Sequence, residues 1–226
     1  MHHVVISGNE LRSSDRWNVE YFIIDDKWIG DEKSRNFVPI GTLVNQLKKT
    51  LAPGEQPTSL FTYIGMENVE GGTGRFVGNA ISKGSEILSR AKIAPSNCVL
   101  YGRLRPTLNK VALIPHDAAG WVCSTEFIVL EAIENKIHPR LLRELLASEY
   151  ITSQVERFIR GASLPRLPAE NLLTLKVPVP PMEEQLKIVE RLRKLDNERD
   201  EVYARLSSLP QDYWTAISQA SFEGLK

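Results

Sequence analysis

Between Arg75 and Lys110 the chain carries seven basic residues, Arg75, Lys83, Arg90, Lys92, Arg103, Arg105 and Lys110, and one acidic residue, Glu86. Clustered guanidinium and ammonium groups attract phosphate, and an arginine can also hold the O6 and N7 edge of guanine through two hydrogen bonds. In Tyr101-Gly102-Arg103-Leu104-Arg105, side chains alternate along the chain, so Tyr101, Arg103 and Arg105 share one side if the strand continues. Two arginines on one face can neutralise phosphates or reach bases; equally, one can pair with a carboxylate such as Glu126 and hold the fold. The glycine-rich stretch 67–85 contributes Arg75, Phe76, Asn79, Lys83 and Ser85, residue types suited to Asn-to-adenine and Arg-to-guanine contacts. Arg160 and Arg166, flanking Gly161, are further phosphate candidates. Against a nucleic-acid partner stands the overall balance, 28 basic and 28 acidic residues. An uneven field can still attract phosphate on one face while the rest stays neutral. For each residue taken singly, a solvated surface is the plainer alternative.

Catalytic motifs do not stand out. An amino-methyltransferase needs Asn/Asp-Pro-Pro-aromatic, whereas the Pro-Pro here reads Val179-Pro180-Pro181-Met182. A metal-dependent nuclease wants a carboxylate pair with Glu-x-Lys on a strand, and Glu131 and Glu134 are read as lacking that lysine. There is no Gly-x-Ser-x-Gly elbow, and the glycine-rich stretch lacks the G-x-x-x-x-G-K-[ST] order of a phosphate-binding loop. Cys98 and Cys123, the only cysteines, lie in apolar runs and read as buried thiols, and the four histidines show no ligand spacing. No catalytic residue, metal site or cofactor is expected in this chain.

The elements that position the basic residues are short strands with helices between them. VPIGTLVNQLKKTL (38–51) reads as a short helix with Leu43, Val44 and Leu47 on one face. Residues 60–66, 87–95, 97–104, 111–115, 121–132 and 172–179 read as strands, and 67–85 as a loop or irregular hairpin. Residues 138–161 read as one helix, opened by Pro139 and capped by Gly161. Pro178 and Pro180 hold the chain extended, and Pro181 opens a charged helix at a fixed exit angle. Along that helix Ile188, Leu192, Leu195, Arg199, Val202, Leu206 and Leu209 alternate spacings of four and three, a heptad seam that asks for a partner; Pro210 ends the run and a last short helix follows. The expected fold class is α+β: one mixed sheet-and-helix domain over residues 1–180, then a long coiled-coil helix in a dimerisation region, 181–226.

The order of several segments carries a resemblance. GASLPRLP (161–168), an apolar strand, PVPPMEEQ (178–185) and a long helix are joined by LRSSDRWNVEYF (11–22), TYIGMENVEGG (62–72), CVLYGRLRPTLNKVAL (98–113), CSTEFIVLEA (123–132) and the tail ISQASFEGLK (217–226). Together they resemble the DNA specificity subunit of type I restriction-modification systems. The resemblance implies a target-recognition domain over 1–180 that binds double-stranded DNA. It implies helices that pair two copies antiparallel on a bipartite site, with a separate adenine-N6 methyltransferase subunit and a motor-nuclease subunit as partners. S-adenosylmethionine, ATP and Mg²⁺ would belong to those partners. Such a full subunit has two recognition domains and this chain has one, so it reads as a half-subunit, with Met1 and the tail leaning toward natural ends. From Pro181 to Leu209 the helix would be about 40 Å long, near one duplex turn. The rival reading is a coiled-coil adaptor that binds protein and never DNA. No apolar run is long enough for a membrane span and no targeting signal is evident, which favours the cytoplasm.

Overall fold

The computed structural model describes residues 37–78, 80–159 and 163–223, in two compact units divided between Met182 and Glu183. The segment 11–22 lies outside the described residues. In the first unit, among the described residues, short strands form three sheets. β1 (Phe37–Pro39) pairs antiparallel with β11 (Lys176–Pro178). A four-stranded antiparallel sheet runs β2 (Val44–Leu47), β10 (Phe127–Ala132), β7 (Val99–Gly102), β8 (Val111–Leu113). A five-stranded sheet runs β3 (Thr50–Leu51), β6 (Ala91–Ile93), β9 (Val122–Ser124), β4 (Leu60–Ile64), β5 (Ile81–Lys83), in which only β4 and β9 are parallel. This mixed domain, followed by one long helix, is the α+β arrangement expected.

All four residues of β7 are buried, and the core gathers Leu100, Ala112, Ile114, Phe127 and Val129 from the four-stranded sheet and its flanks with Ile64 and Cys123 from the other. Cys98 and Cys123 both lie in it as free thiols. Burial pushes the Cys98 thiol up to about 11 and Cys123 to about 12. A raised folded-state value means the neutral thiols contribute stability that is complete below about pH 9 and is lost as pH climbs through those values. The thermal midpoint of the domain is therefore expected to fall on alkaline titration, and to fall less in a Cys98→Ala, Cys123→Ala chain. Identical alkaline losses in both chains, followed by calorimetry, would remove the thiols from the account.

Several elements differ from the expectations above. Residues 38–51 are not a helix. After β1 a single 3-10 turn, Ile40–Thr42, feeds β2, whose register Val44↔Ala132 to Leu47↔Val129 completes the edge beside β10. Local spacing of apolar residues loses to the backbone hydrogen bonds and burial on offer at that edge. The strand expected over 87–95 shortens to β6. The helix expected over 138–161 is two, α1 (Pro139–Ala147) and α2 (Glu149–Glu156), broken at Ser148. Its hydroxyl donates to the Leu145 carbonyl (2.6 Å) and accepts from the Ile151 N–H (3.3 Å), ending one helix and capping the next. The closing strand expected over 172–179 begins as α3 (Ala169–Thr174), started after Pro168, and only β11 is extended.

The second unit is one helix, α4 (Met182–Glu223), with Glu183 and Glu184 in its first turn. Pro210 does not end it. A proline deprives the carbonyl four residues back of its donor, but the helix here is exposed around Leu206 and Pro210, so water can serve that carbonyl. Arg205 and Asp212 form an ion pair of 2.7 Å across the proline. On this helix Ile188, Leu195, Val202 and Leu206 are exposed, and Leu192 and Leu209 half-buried.

Candidate nucleic-acid interface

The glycine-rich stretch is a fastened loop. After β4 comes the 3-10 turn Met66–Asn68; then Val69 and Phe76 form an isolated antiparallel bridge, and Glu70 N–H donates to the Arg75 carbonyl (2.9 Å). Asn68 ties both sides, its Oδ1 accepting from Gly65 N–H (2.9 Å) and its Nδ2 donating to the Val77 carbonyl (3.1 Å). Phe76 turns inward and meets Trp121 edge-on at 5.4 Å, an anchor rather than a base-reading side chain. Gly74, at φ +66°, allows the closest approach: a Cβ there would collide with the Val111 carbonyl oxygen and the Arg143 guanidinium.

Two cations hold this loop from beneath. Lys110 Nζ donates to the Met66 and Val69 carbonyls (2.7 and 2.8 Å), so its charge is spent on the framework. Arg143, on α1 and 4% exposed, donates to the Gly72 carbonyl (2.7 Å), the Val111 carbonyl (3.0 Å) and Glu144 (2.7 Å). Sequence reasoning passed over Arg143. Its signal was a charge three residues before Leu146, inside the apolar arc of α1. Arg75, on the same loop, is half-buried, and its Nε lies 3.5 Å from Glu70.

A second cluster brings together Lys92, Arg103, Glu126 and Arg166. The Glu126 carboxylate is occupied by Arg166, which donates through Nε (3.2 Å to each oxygen) and Nη2 (2.9 Å). That hydrogen bonding, then charge attraction, raises the Arg166 pKa. The Glu126 carboxylate, one alternative partner for Arg103 or Arg105, thus pairs with a different arginine, because Leu104 and Arg166 form a bridge that carries Arg166 across to Glu126. Lys92 Nζ donates to the Phe127 carbonyl (2.6 Å) and its pKa is lowered, chiefly by burial and further by the neighbouring Arg103 charge. Arg103 Nε is buried without an acceptor.

The remaining candidates are dispersed. Tyr101 is 4% exposed inside β7, with its phenol pushed up by burial, so it belongs to the core and offers nothing to a duplex. The strand does not continue to Arg105: β7 stops at Gly102, and Arg105 takes a left-handed conformation (φ +46°) before Pro106, leaving its side chain exposed. Arg103 and Arg105 therefore do not share a strand face. Arg90 donates to Thr50 Oγ1 (3.2 and 2.9 Å), and Lys83 stands exposed on β5. Asn79 and Arg160 lie outside the described residues. The expectation that Glu134 lacks a lysine is corrected: Glu134-Asn135-Lys136 does spell Glu-x-Lys. It sits in the turn after β10, with Asn135 at φ +62° and Lys136 donating to the Thr42 carbonyl (2.9 Å), away from any strand. Among the described residues no group of three or more His, Cys, Asp or Glu stands close enough to hold a metal ion, and no helix is long and apolar enough to cross a membrane.

Comparison with known proteins gives a consistent result. The profile of the type I restriction modification DNA specificity domain matches residues 20–207. The type I restriction enzyme HindI specificity subunit of Haemophilus influenzae is 27% identical over 126 residues, 54% of this chain and 28% of that protein. The EcoDI specificity subunit of Escherichia coli is 22% identical over 182 residues, covering 77% of this chain and 38% of that one. Among solved structures, the HsdS subunit from Thermoanaerobacter tengcongensis superposes with a TM-score of 0.64 at 30% identity, over 74% of this chain and 43% of that one. The chain thus spans well under half the length of these relatives.

Proposed function

Because this chain belongs to the type I restriction-modification DNA specificity family, we propose that it is the sequence-reading, non-catalytic subunit of such a system. In this reading residues 1–180 bind duplex DNA, and 181–226 pair two copies through α4. A separate adenine-N6 methyltransferase subunit and a motor-nuclease subunit are directed to a bipartite site in the cytoplasm. S-adenosylmethionine, ATP and Mg²⁺ are held by those partners. The observation that carries the reading is the unbroken family match, which runs from the sheet domain into the long helix. The exposed apolar residues Ile188, Leu195, Val202 and Leu206 support the pairing, since they recur at heptad spacing on one helix. Two paired copies would bring two recognition domains to one site. With 42 residues, α4 is about 63 Å long, nearer two duplex turns than one.

Base reading falls to Arg75 and Asn79 of the glycine-rich stretch, with Lys83, Arg90, Arg105 and Arg160 as contacts to phosphate. The test is co-expression with a type I methyltransferase subunit, followed by mapping of methylated adenines. A pairing of identical copies predicts two half-sites related by two-fold symmetry around a nonspecific gap. Failure of the chain to associate with the methyltransferase, and absence of any site-specific methylation, would count decisively for the adaptor.

A further inference from the structure

Arg103 sits in an arrangement of charge that the fold leaves unbalanced. Its backbone is fixed on both sides: the N–H donates to the Glu126 carbonyl and the carbonyl accepts from Leu167 N–H, each at 2.9 Å. The root of the side chain is therefore held between the β9–β10 turn and the segment leading into α3. Its Nε is closed off from solvent with no acceptor in reach, and among the described residues no side-chain or backbone oxygen engages the rest of the guanidinium. The Lys92 ammonium, whose own hydrogen bond goes to the Phe127 carbonyl, stands near enough to repel it. Glu126 could have balanced either charge, but both its oxygens are taken by Arg166. Three cations thus share one carboxylate. Arg103 is only half-buried, but an N–H withdrawn from water without an acceptor, as its Nε is, is costly, and an orphaned buried donor in a native fold calls for an ion or ligand beside it.

The chemistry of a fitting ligand follows from the donors. A planar guanidinium fork matches two oxygens of a tetrahedral phosphate, and an adjacent ammonium adds a point charge. We infer that Arg103 and Lys92 form a phosphodiester-binding site that receives one backbone phosphate of duplex DNA. This rests on the DNA-binding reading above and assigns it a fixed contact. Such a contact sets the register of the duplex and reads no base. The left-handed turn at Arg105 separates it from the exposed arginine two residues on, so the two arginines are not interchangeable.

The test measures binding of the 226-residue chain to its methylated-site duplex and to an unrelated duplex across a salt series, for the parent, Arg103→Met and Arg103→Lys. Each phosphate contact contributes about 0.9 to the slope of log affinity against log salt. Arg103→Met is expected to lower that slope by about one on both duplexes, leaving the preference between them unchanged, while Arg103→Lys restores the slope. Inorganic phosphate, compared with chloride at equal ionic strength, is expected to compete with duplex for the parent and not for Arg103→Met. Arg103→Met with the parental slope, or phosphate binding at Arg103 that never competes with duplex, overturns the site while leaving the DNA reading intact. A parent chain that binds neither duplex overturns the reading itself, and with it the site. Should Arg103→Met fail to fold, Lys92→Met carries the same expected loss of slope.

Discussion

Replacing Arg143 by Met is expected to destabilise the recognition domain by about 3 kcal/mol, read as a lower urea midpoint at unchanged slope. Methionine fills much of the same volume, so the loss is polar in origin. It leaves the Gly72 and Val111 carbonyls, which Arg143 now serves, without their donor in a place that water does not reach easily. Each orphaned buried carbonyl costs roughly 1–3 kcal/mol. Glu144 suffers less, because Arg140 also lies 2.7 Å from it. The effect should be local as well as global, since the Gly72–Gly74 corner loses its floor, and amide exchange there should quicken more than in β7. Arg143→Lys, able to reach one carbonyl, should fall between. An Arg143→Met chain with the parental midpoint would show that the loop is held by Lys110 and Asn68 alone.

Arg143 also shows where sequence reading stops. The α+β class, the long helix begun after Pro181 and the buried cysteines were legible because each rests on local pattern: alternation, proline geometry, apolar neighbours. What escaped depends on partners far along the chain. Val44 to Leu47 look helical until β10 arrives from residues 127–132 to pair with them. Lys110 reads as a phosphate ligand until Met66 and Val69 present their carbonyls to it. Tyr101 and Arg103 were placed on one face by a strand that ends between them, and nothing in the local residue types marks Gly102 as the end. Ser148 was the exception, a break that its own hydroxyl could have signalled. The basic stretch from Arg75 to Lys110 survives as a composition but divides into one loop fastener, Lys110, a clustered pair and dispersed cations.

The second large effect concerns α4. A chain carrying Leu195→Asp with Leu206→Asp is expected to sediment as a single copy at concentrations where the parent sediments as two, with pairing weakened about a thousandfold or more. Three powers of ten correspond to about 4 kcal/mol, which is modest for four carboxylates forced into an apolar seam. The two leucines are 52% and 55% exposed in the single chain, so the substitutions remove little intrachain burial and the melting of the sheet domain should not move. Arg199, between them in the heptad series, is already paired with Asp196 (3.1 Å) and Asp200 (3.0 Å), so it offers the new carboxylates little compensation. Equal sedimentation of parent and variant would remove the seam as a pairing surface. Loss of pairing should also abolish two-part recognition while sparing salt-dependent association of each copy with DNA.

The pairing of β1 with β11 has a consequence for how the protein comes into being. Phe37 meets Pro178, and Ile40 N–H donates to the Leu175 carbonyl (2.8 Å), so the strand at one border of the domain is completed only by a segment synthesised far later. β2 likewise waits for β10 and β4 for β9. Closing such distant pairs carries a loop-entropy cost before any contact repays it, which slows folding. On the ribosome, the nascent domain must therefore hold β1 open until residues 176–178 emerge, and β2 and β4 until β10 and β9 do. During that interval its unpaired edges are the surface most in need of a chaperone.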